Sequence, residues 1–387
     1  MAIALPIAEP RRRGACPTLD TPMPTGDGLL ARIRVQEARL TPAQLAAIAD
    51  LAATHGNGLV EITARGNLQV RGLTAVSAAP FARAIEALVP VERGLVVETP
   101  PLAGEDPAEV ADPRPLASAI RHLSGPFEPR LGPKVTVIVD GRGQISLGAL
   151  KADIRLTAVT SDRWHLIFGD GSAQAVTTAE APVRVATLLG RLAALGPEAR
   201  ASDLQPGAPR APAPSAPPIG SHRRLGGTAT GIALPFGSSD AAALSDLARE
   251  AEALSVPEFR LAPHHALLAL DAPPSFSAVA AALGFITDPS DPRLRISACA
   301  GSAGCASGYI PARAIAARLA PHLPPGQHLH VSGCSKGCAH PRPAGLTLVG
   351  NATGYGLVFD GRAGDTPRMQ LSDDQIESAI AAAPSLG

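Results

Sequence analysis

The chain has 387 residues, long enough for two or more domains with cores of their own. Lys and Arg number 34, and Asp and Glu number 34, a balance that argues against a nucleic acid or a membrane surface held through bulk charge. Aromatic residues make up only 3%, so the cores must be built from Leu, Val, Ile and Ala.

The first eight residues are apolar, but Arg11, Arg12 and Arg13 follow that stretch, whereas a secretory signal carries its charges first. No window approaches the roughly 18 apolar residues of a membrane span. The expected location is the cytoplasm, where thiols stay reduced.

Cys16 stands alone after Arg13-Gly14-Ala15 and reads as structural or incidental. A turn-rich stretch, 22–28, leads to 29–35, where apolar and basic residues alternate as in a strand with Arg32 and Arg34 on one face. Thr41-Pro42-Ala43-Gln44 is a helix start, with Thr as cap, Pro in the first turn and Gln three residues after the cap. Leu45, Ile48 and Leu51 continue it, and Gly56 closes it. A strand over 59–63, a turn at 64–67, a strand over 68–71 and a helix over 77–88 follow. Across 63–72, Thr63, Arg65, Asn67, Gln69 and Arg71 alternate with small or apolar residues, and a continuous strand would set all five on one face. Such a face suits several carboxylates, because Arg grips carboxylate through a bidentate fork.

Residues 112–200 read as an α/β segment with strands at 135–139, 152–156 and 164–169. Arg155 suits a carboxylate or a surface ion pair, and Trp164 a core or edge anchor. A Pro/Ala-rich linker occupies 204–219. Beyond it the pattern restarts. Ser239-Asp240 caps a helix as Thr41 does, 259–268 takes the place of the strand pair at 59–71, and Ser275 opens a short helix as Ser77 does, all at offsets near 198. His264 and His265 fall where the first half has Arg65 and Gly66.

Four of the five cysteines lie in two tight pairs, Cys299/Cys305 with five residues between and Cys334/Cys338 with three. Zinc arms prefer shorter gaps of two to four residues, disulfides belong to oxidising compartments, and a [4Fe–4S] cluster takes four thiolates. Wide, glycine-rich gaps suit a bulky cluster best, with zinc and disulfides left as the other readings.

The C-x5-C and C-x3-C pairs resemble the cluster motif of the sulfite and nitrite reductase superfamily. The run from Thr63 to Gln69 resembles its T-x-R-x-N-x-Q motif. The resemblance implies an α+β, pseudo-twofold duplicated nitrite/sulfite reductase fold, made of ferredoxin-like half-domains plus iron–sulfur/tetrapyrrole α/β domains. It places the half-domains at 15–100 and 220–290 and the α/β domains at 112–203 and 291–387. It implies Cys299, Cys305, Cys334 and Cys338 as ligands of a [4Fe–4S] cluster, the last one bridging to sirohaem in the reductases. It implies substrate contacts from Arg65, Asn67, Gln69, Arg71 and Lys134; the family's second lysine, two residues beyond Lys134, is Thr136 here.

The opening Arg-Gly-Ala-Cys-Pro, followed by Pro-Met-Pro-Thr-Gly-Asp-Gly-Leu-Leu, resembles a branch of that superfamily that serves cobalamin biosynthesis, where a carboxylate-rich tetrapyrrole is substrate and not cofactor. That branch implies an oxygen-dependent monooxygenase with a [4Fe–4S] cluster and a mononuclear non-haem iron. No G-x-G-x-x-G follows a strand, so electrons from NADH are expected through a separate reductase. Candidates for the second iron or for catalysis are His264, His265 and His340, with Lys336 and Arg342 beside the thiolates. The competing readings are a sirohaem-dependent sulfite or nitrite reductase and a non-catalytic iron–sulfur electron carrier.

Overall fold

A computed structural model describes residues 16–206 and 216–383. The residues around Arg13 and most of the Pro/Ala linker lie outside the described residues. The chain forms two compact units. One runs over 91–216 with 222–228 and the first residues up to 18; the other takes 19–90, 217–221 and everything from 229 onward.

In chain order, β1 (Met23–Thr25) and β2 (Gly28–Ile33) make a hairpin, and β3 (Arg39–Leu40) is a short strand. Helix α1 (Pro42–His55) begins on the expected capping box, in which Thr41 Oγ1 accepts from the Gln44 N–H and Gln44 Oε1 accepts from the Thr41 N–H. Leu45, Ile48, Ala49 and Ala52 repeat at helical spacing and are fully buried. Burying each larger one stabilises by roughly 1.5–3 kcal/mol. Strands β4 (Leu59–Ile62) and β5 (Leu68–Leu73) and helix α2 (Ala78–Leu88) complete this part.

The continuous strand over 63–71 does not form. β4 ends at Ile62, and Thr63 Oγ1 accepts from the backbone N–H of Arg65 at 3.3 Å and of Asn67 at 3.1 Å. That hydroxyl competes with strand pairing and closes a turn. Thr63, Arg65 and Asn67 therefore sit in the hairpin turn, and only Gln69 and Arg71 share a face of β5.

The unit built on 91–216 contains β6 (Val96–Glu98), α3 (Arg114–Ser124), β7 (Thr136–Asp140), β8 (Ile154–Ala158), β9 (Arg163–Phe168), β10 (Gln174–Thr177), α4 (Ala181–Leu195) and α5 (Ala201–Leu204). Its sheet runs β10-β9-β8-β7-β6, with β6–β7 and β7–β8 parallel and the other pairs antiparallel. Trp164 is buried in its core, as the sequence predicted. Arg155 donates to the carbonyls of Leu147 and Leu150.

The restart after the linker gives β11 (Gly220–Arg224), β12 (Gly227–Ala233), β13 (Ser238–Asp240), α6 (Ala241–Ala253), β14 (Phe259–Ala262), β15 (Ala266–Leu270) and α7 (Ser275–Ala282). The two ferredoxin-like sheets exchange strands. β13 joins the edge of β1-β2-β5-β4, and β3 joins the edge of β11-β12-β15-β14. Glu37 and Phe236 both sit at φ 54 just before the exchanged strands, an offset of 236 − 37 = 199. The cap of α6 is Asp240, whose carboxylate accepts from the Ala243 N–H; the offset from Thr41 is 240 − 41 = 199, and Ser239 is not the cap. The two long helices α1 and α6 pack together.

Last come β16 (Ile296–Ala298), α8 (Ala312–Leu319), β17 (Leu329–Ser332), β18 (Ala344–Asn351), β19 (Gly354–Gly361), β20 (Met369–Leu371) and α9 (Ile376–Ala381). Their sheet, β16-β17-β18-β19-β20, repeats the order and the directions of β6 to β10. Among the described residues no helix is long and apolar enough to cross a membrane.

Candidate functional site

Both cysteine loops leave the carboxyl ends of neighbouring parallel strands. Cys299 to Cys305 follow β16, and Cys334 to Cys338 follow β17. That edge is where open α/β sheets bind ligands. The corresponding loops after β6 and β7 contain no cysteine.

Glycines make the approach of the two loops close. A Cβ on Gly333 would stand 2.9 Å from Gly301 Cα, and one on Gly308 would stand 2.5 Å from the Gly301 carbonyl carbon. Gly301 and Gly337 take φ 62, which other residues adopt only under strain. Three bonds then join the loops, and a fourth lies within the second. The Gly333 N–H donates to Cys299 Sγ at 3.1 Å, and the Tyr309 N–H donates to the Gly333 carbonyl at 2.8 Å. Lys336 Nζ donates to Ser307 Oγ at 2.9 Å, and Ser332 Oγ donates to the Cys334 carbonyl at 2.7 Å.

The four thiols are electrostatic neighbours. Burial first, then the charges of Cys299, Cys334 and Cys305, push the Cys338 thiol up, while Lys336 pulls it down. None of the described cysteines is in a disulfide, and Cys338 is the most exposed of the four. Among the described residues no three His, Cys, Asp or Glu side chains converge closely enough to hold a single ion. A [4Fe–4S] cluster asks for a different donor set, one thiolate at each iron corner. Four free thiols around two glycine-lined loops, one of them already accepting a backbone N–H, fit that group. The mononuclear iron expected from the resemblance finds no such donor set among the described residues.

The carboxylate-seeking residues divide. Arg71 is bound bidentately to Asp27, Nε to Oδ2 at 2.9 Å and NH2 to Oδ1 at 2.8 Å, and lies 3.7 Å from Glu61. Burial opposes its charge, but the bonds to Asp27 and the charges of Glu61, Asp27 and Cys305 outweigh it and hold the guanidinium above its ordinary pKa. Gln69 is buried; with its amide oriented to satisfy both neighbours, its nitrogen donates to Glu61 and its oxygen accepts from Arg32. Arg65 and Asn67 are half-buried in the hairpin turn. Lys134 belongs to the other unit, where it is exposed and lines a cavity of about 240 Å³ with Arg200, Ser202 and Asp203. Thr136, in place of the second lysine, is buried, and its backbone N–H donates to the Asp153 carboxylate.

His264 and His265 form the tip between β14 and β15 at φ 61 and 63. The two hairpin tips meet there, with the His264 N–H donating to the Ala64 carbonyl. His265 Nδ1 lies 2.6 Å from the Ile62 carbonyl; a carbonyl only accepts, so Nδ1 carries the proton. Burial lowers the pKa of both.

The sequence reading missed His328 and His330. Spaced by two at β17, they share a face, and that alternation next to a cysteine loop was the available signal. His340 lies tilted against both, with ring centres 4.6 Å from His328 and 5.8 Å from His330. His330 is fully buried, and neither ring nitrogen has a hydrogen-bond partner. Burial, then its two His neighbours, lowers its pKa to about 4, so the ring is neutral. Gly337, in the second cysteine loop, lies directly against it. Arg342 is exposed just beyond His340.

Residues 21–88 match the family model for the nitrite/sulfite reductase ferredoxin-like half domain. A precorrin-3B synthase from Sinorhizobium sp is 42% identical to this chain, over 96% of this chain and 88% of that protein. The NirA protein of Mycobacterium tuberculosis shares the fold at a TM-score of 0.63, with 19% identity, over 91% of this chain and 79% of that one.

Proposed function

The chain belongs to the precorrin-3B synthase family, and we propose that it converts precorrin-3A to precorrin-3B in aerobic cobalamin biosynthesis, as an oxygen-dependent monooxygenase. The observation that carries this reading is the 42% identity over 96% of the chain. In the reaction, C20 gains a hydroxyl while the ring A acetate closes a γ-lactone onto C1. One atom of O2 enters the product and the other leaves as water, so two electrons and two protons must be supplied. We assign the electrons to NADH through a separate reductase.

The four cysteines are assigned to a [4Fe–4S] cluster, supported by the two glycine-lined loops at one sheet edge and by the N–H donated to Cys299. When bound, that group supplies one-electron transfer between the external donor and the site. Arg65 and Asn67, left in the turn by Thr63, are assigned to the acetates and propionates of the substrate. Arg71 and Gln69 already answer to Asp27, Glu61 and Arg32, and are not assigned to the substrate.

The test is the absorption spectrum of anaerobically purified protein, followed by oxygen uptake with precorrin-3A. Broad cluster absorption without haem bands, and uptake that requires precorrin-3A, are expected. Sirohaem bands with sulfite- or nitrite-dependent oxidation of a reduced dye would overturn the reading. So would a colourless protein with one zinc per chain.

A further inference from the structure

The tip of the first hairpin rests on the first cysteine loop. The Gly26 carbonyl accepts from the Ala306 N–H at 3.1 Å, and a Cβ on Gly26 would stand 2.5 Å from Cys305 Sγ. Only a glycine lets the tip come so close to a thiol. The next residue, Asp27, is the anchor of that tip. Its carboxylate takes the bidentate fork of Arg71 from β5, the Asn57 amide at 3.0 Å and the Thr25 hydroxyl at 2.7 Å. Side-chain exposures of 14% for Arg71 and 8% for Asp27 make this a shielded pair and not a surface one. A second ion pair lies beyond the loop. Glu61 on β4 accepts from Arg313 at 2.6 Å, and Arg313 sits in the first turn of α8, the helix into which the first cysteine loop runs. Arg71 touches Glu61 as well, so the two pairs are one network of two cations and two anions.

We infer that the chain Asp27–Arg71–Glu61–Arg313 is a clamp that presses the hairpin tip onto Cys305 and fixes where that thiolate meets its iron. Arg71 is thus a positioning residue for the cluster, and its fork faces Asp27 in place of a substrate carboxylate. The inference rests on the cluster assignment above. Its physical basis is the cost of a lone partner: a shielded ion pair is worth little net, but removing one side leaves an uncompensated charge that must find water by opening the structure. The place that opens is the hairpin tip, and the atom it touches is Cys305 Sγ.

The test uses the full chain, reconstituted anaerobically with iron and sulfide, as wild type, Arg71→Met, Asp27→Asn, Arg71→Lys and the Arg71→Met/Asp27→Asn double variant. The readouts are iron per chain, the rate of cluster loss to a chelator, and the electron paramagnetic resonance spectrum of the oxidised protein. Arg71→Met is expected to lose its cluster at least tenfold faster and to show a three-iron signal, the signature of one loosened corner. Arg71→Lys, which keeps the charge without the fork, should recover part of the retention. The double variant should be no worse than the worse single one, because both break one brace. Phe276→Leu, in the core away from the loops, supplies the comparison for a variant that is simply less stable; it should show no three-iron signal. Wild-type retention in both Arg71→Met and Asp27→Asn, or a three-iron signal as strong in Phe276→Leu, would overturn the clamp alone. A wild-type chain that takes up no cluster would overturn the cluster assignment and the clamp with it.

Discussion

Lys336 Nζ donates to Ser307 Oγ at 2.9 Å, and that bond ties the loop of the second cysteine pair to the segment that leaves the first. The lysine is exposed, so the bond contributes at most about 1 kcal/mol to folding. Its effect should appear in the loops and not in the fold. Lys336→Met keeps the aliphatic stem and removes the donor. Iron loss to a chelator is expected to speed up several-fold while the thermal midpoint barely moves, and Ser307→Ala should behave the same way. Unchanged iron loss in both would show that the bond is incidental.

Gly333 offers a sharper perturbation. Its would-be Cβ meets Gly301 Cα at 2.9 Å and Cys299 Sγ at 3.4 Å, and backbone cannot swing aside as a flexible side chain does. Gly333→Ala must part the two loops and stretch the N–H bond to Cys299. Reconstituted iron per chain is expected to fall below half the wild-type level, with far-ultraviolet circular dichroism retained. Gly125→Ala, at a position with nothing within 4 Å, is the matched control and should load normally. Equal loading of the two variants would mean that the loops tolerate separation.

These two cases show which features the sequence carried openly. Cysteine spacing and glycine content are local, and the loops they specify formed where local chemistry put them. The capping box at Thr41 and Gln44 was legible for the same reason, since every partner lies within four residues. The duplication was legible as a constant offset, although the exchange of β3 and β13 between sheets was not, because two short edge strands leave no periodic pattern. The polar face of 63–71 misled. Alternation predicts a strand only if nothing competes for the backbone, and Thr63 Oγ1 does compete. Arg71 was read as open to a ligand because its partner Asp27 is 44 residues away on another hairpin. His330 was missed because burial, which makes it unusual, is a property of the packed sheet and not of its neighbours in sequence.

Trp164 is the sole tryptophan of the chain and is 1% exposed in the core of the unit built on 91–216, so its emission reports on that unit. Its indole N–H donates to Thr178 Oγ1 at 2.9 Å. Thr178→Val preserves the shape and deletes the acceptor, which leaves a buried donor unpaired. That costs about 1–3 kcal/mol. The denaturant midpoint followed by Trp164 emission should drop accordingly, with the slope of the transition unchanged. A midpoint within experimental error of the wild type would mean that water replaces the hydroxyl.

Glu109 gives the same unit a pH dependence. Its Oε2 accepts from the Gly104 N–H at 2.6 Å, while Oε1 is buried with no hydrogen-bond partner. Burial, then the charges of Asp112 and Asp106, raises its pKa from 4.5 to about 7, against the lowering effects of the Gly104 bond and Arg114. The folded state therefore holds the proton more tightly than the unfolded state does. The resulting stabilisation is complete below pH 4.5 and is lost as the pH rises to about 7. At 1.36 kcal/mol per pH unit the full shift would amount to about 3 kcal/mol, but the residue is only half-buried, and solvent screening reduces that to about 1 kcal/mol. Glu109→Gln removes the titration and imitates the protonated form. Relative to wild type, the variant should gain about 1 kcal/mol between pH 5 and pH 8, read from Trp164 emission in denaturant. A difference that stays flat across that range would show that the carboxyl ionises as it does in water, and that the pocket around Gly104 admits solvent.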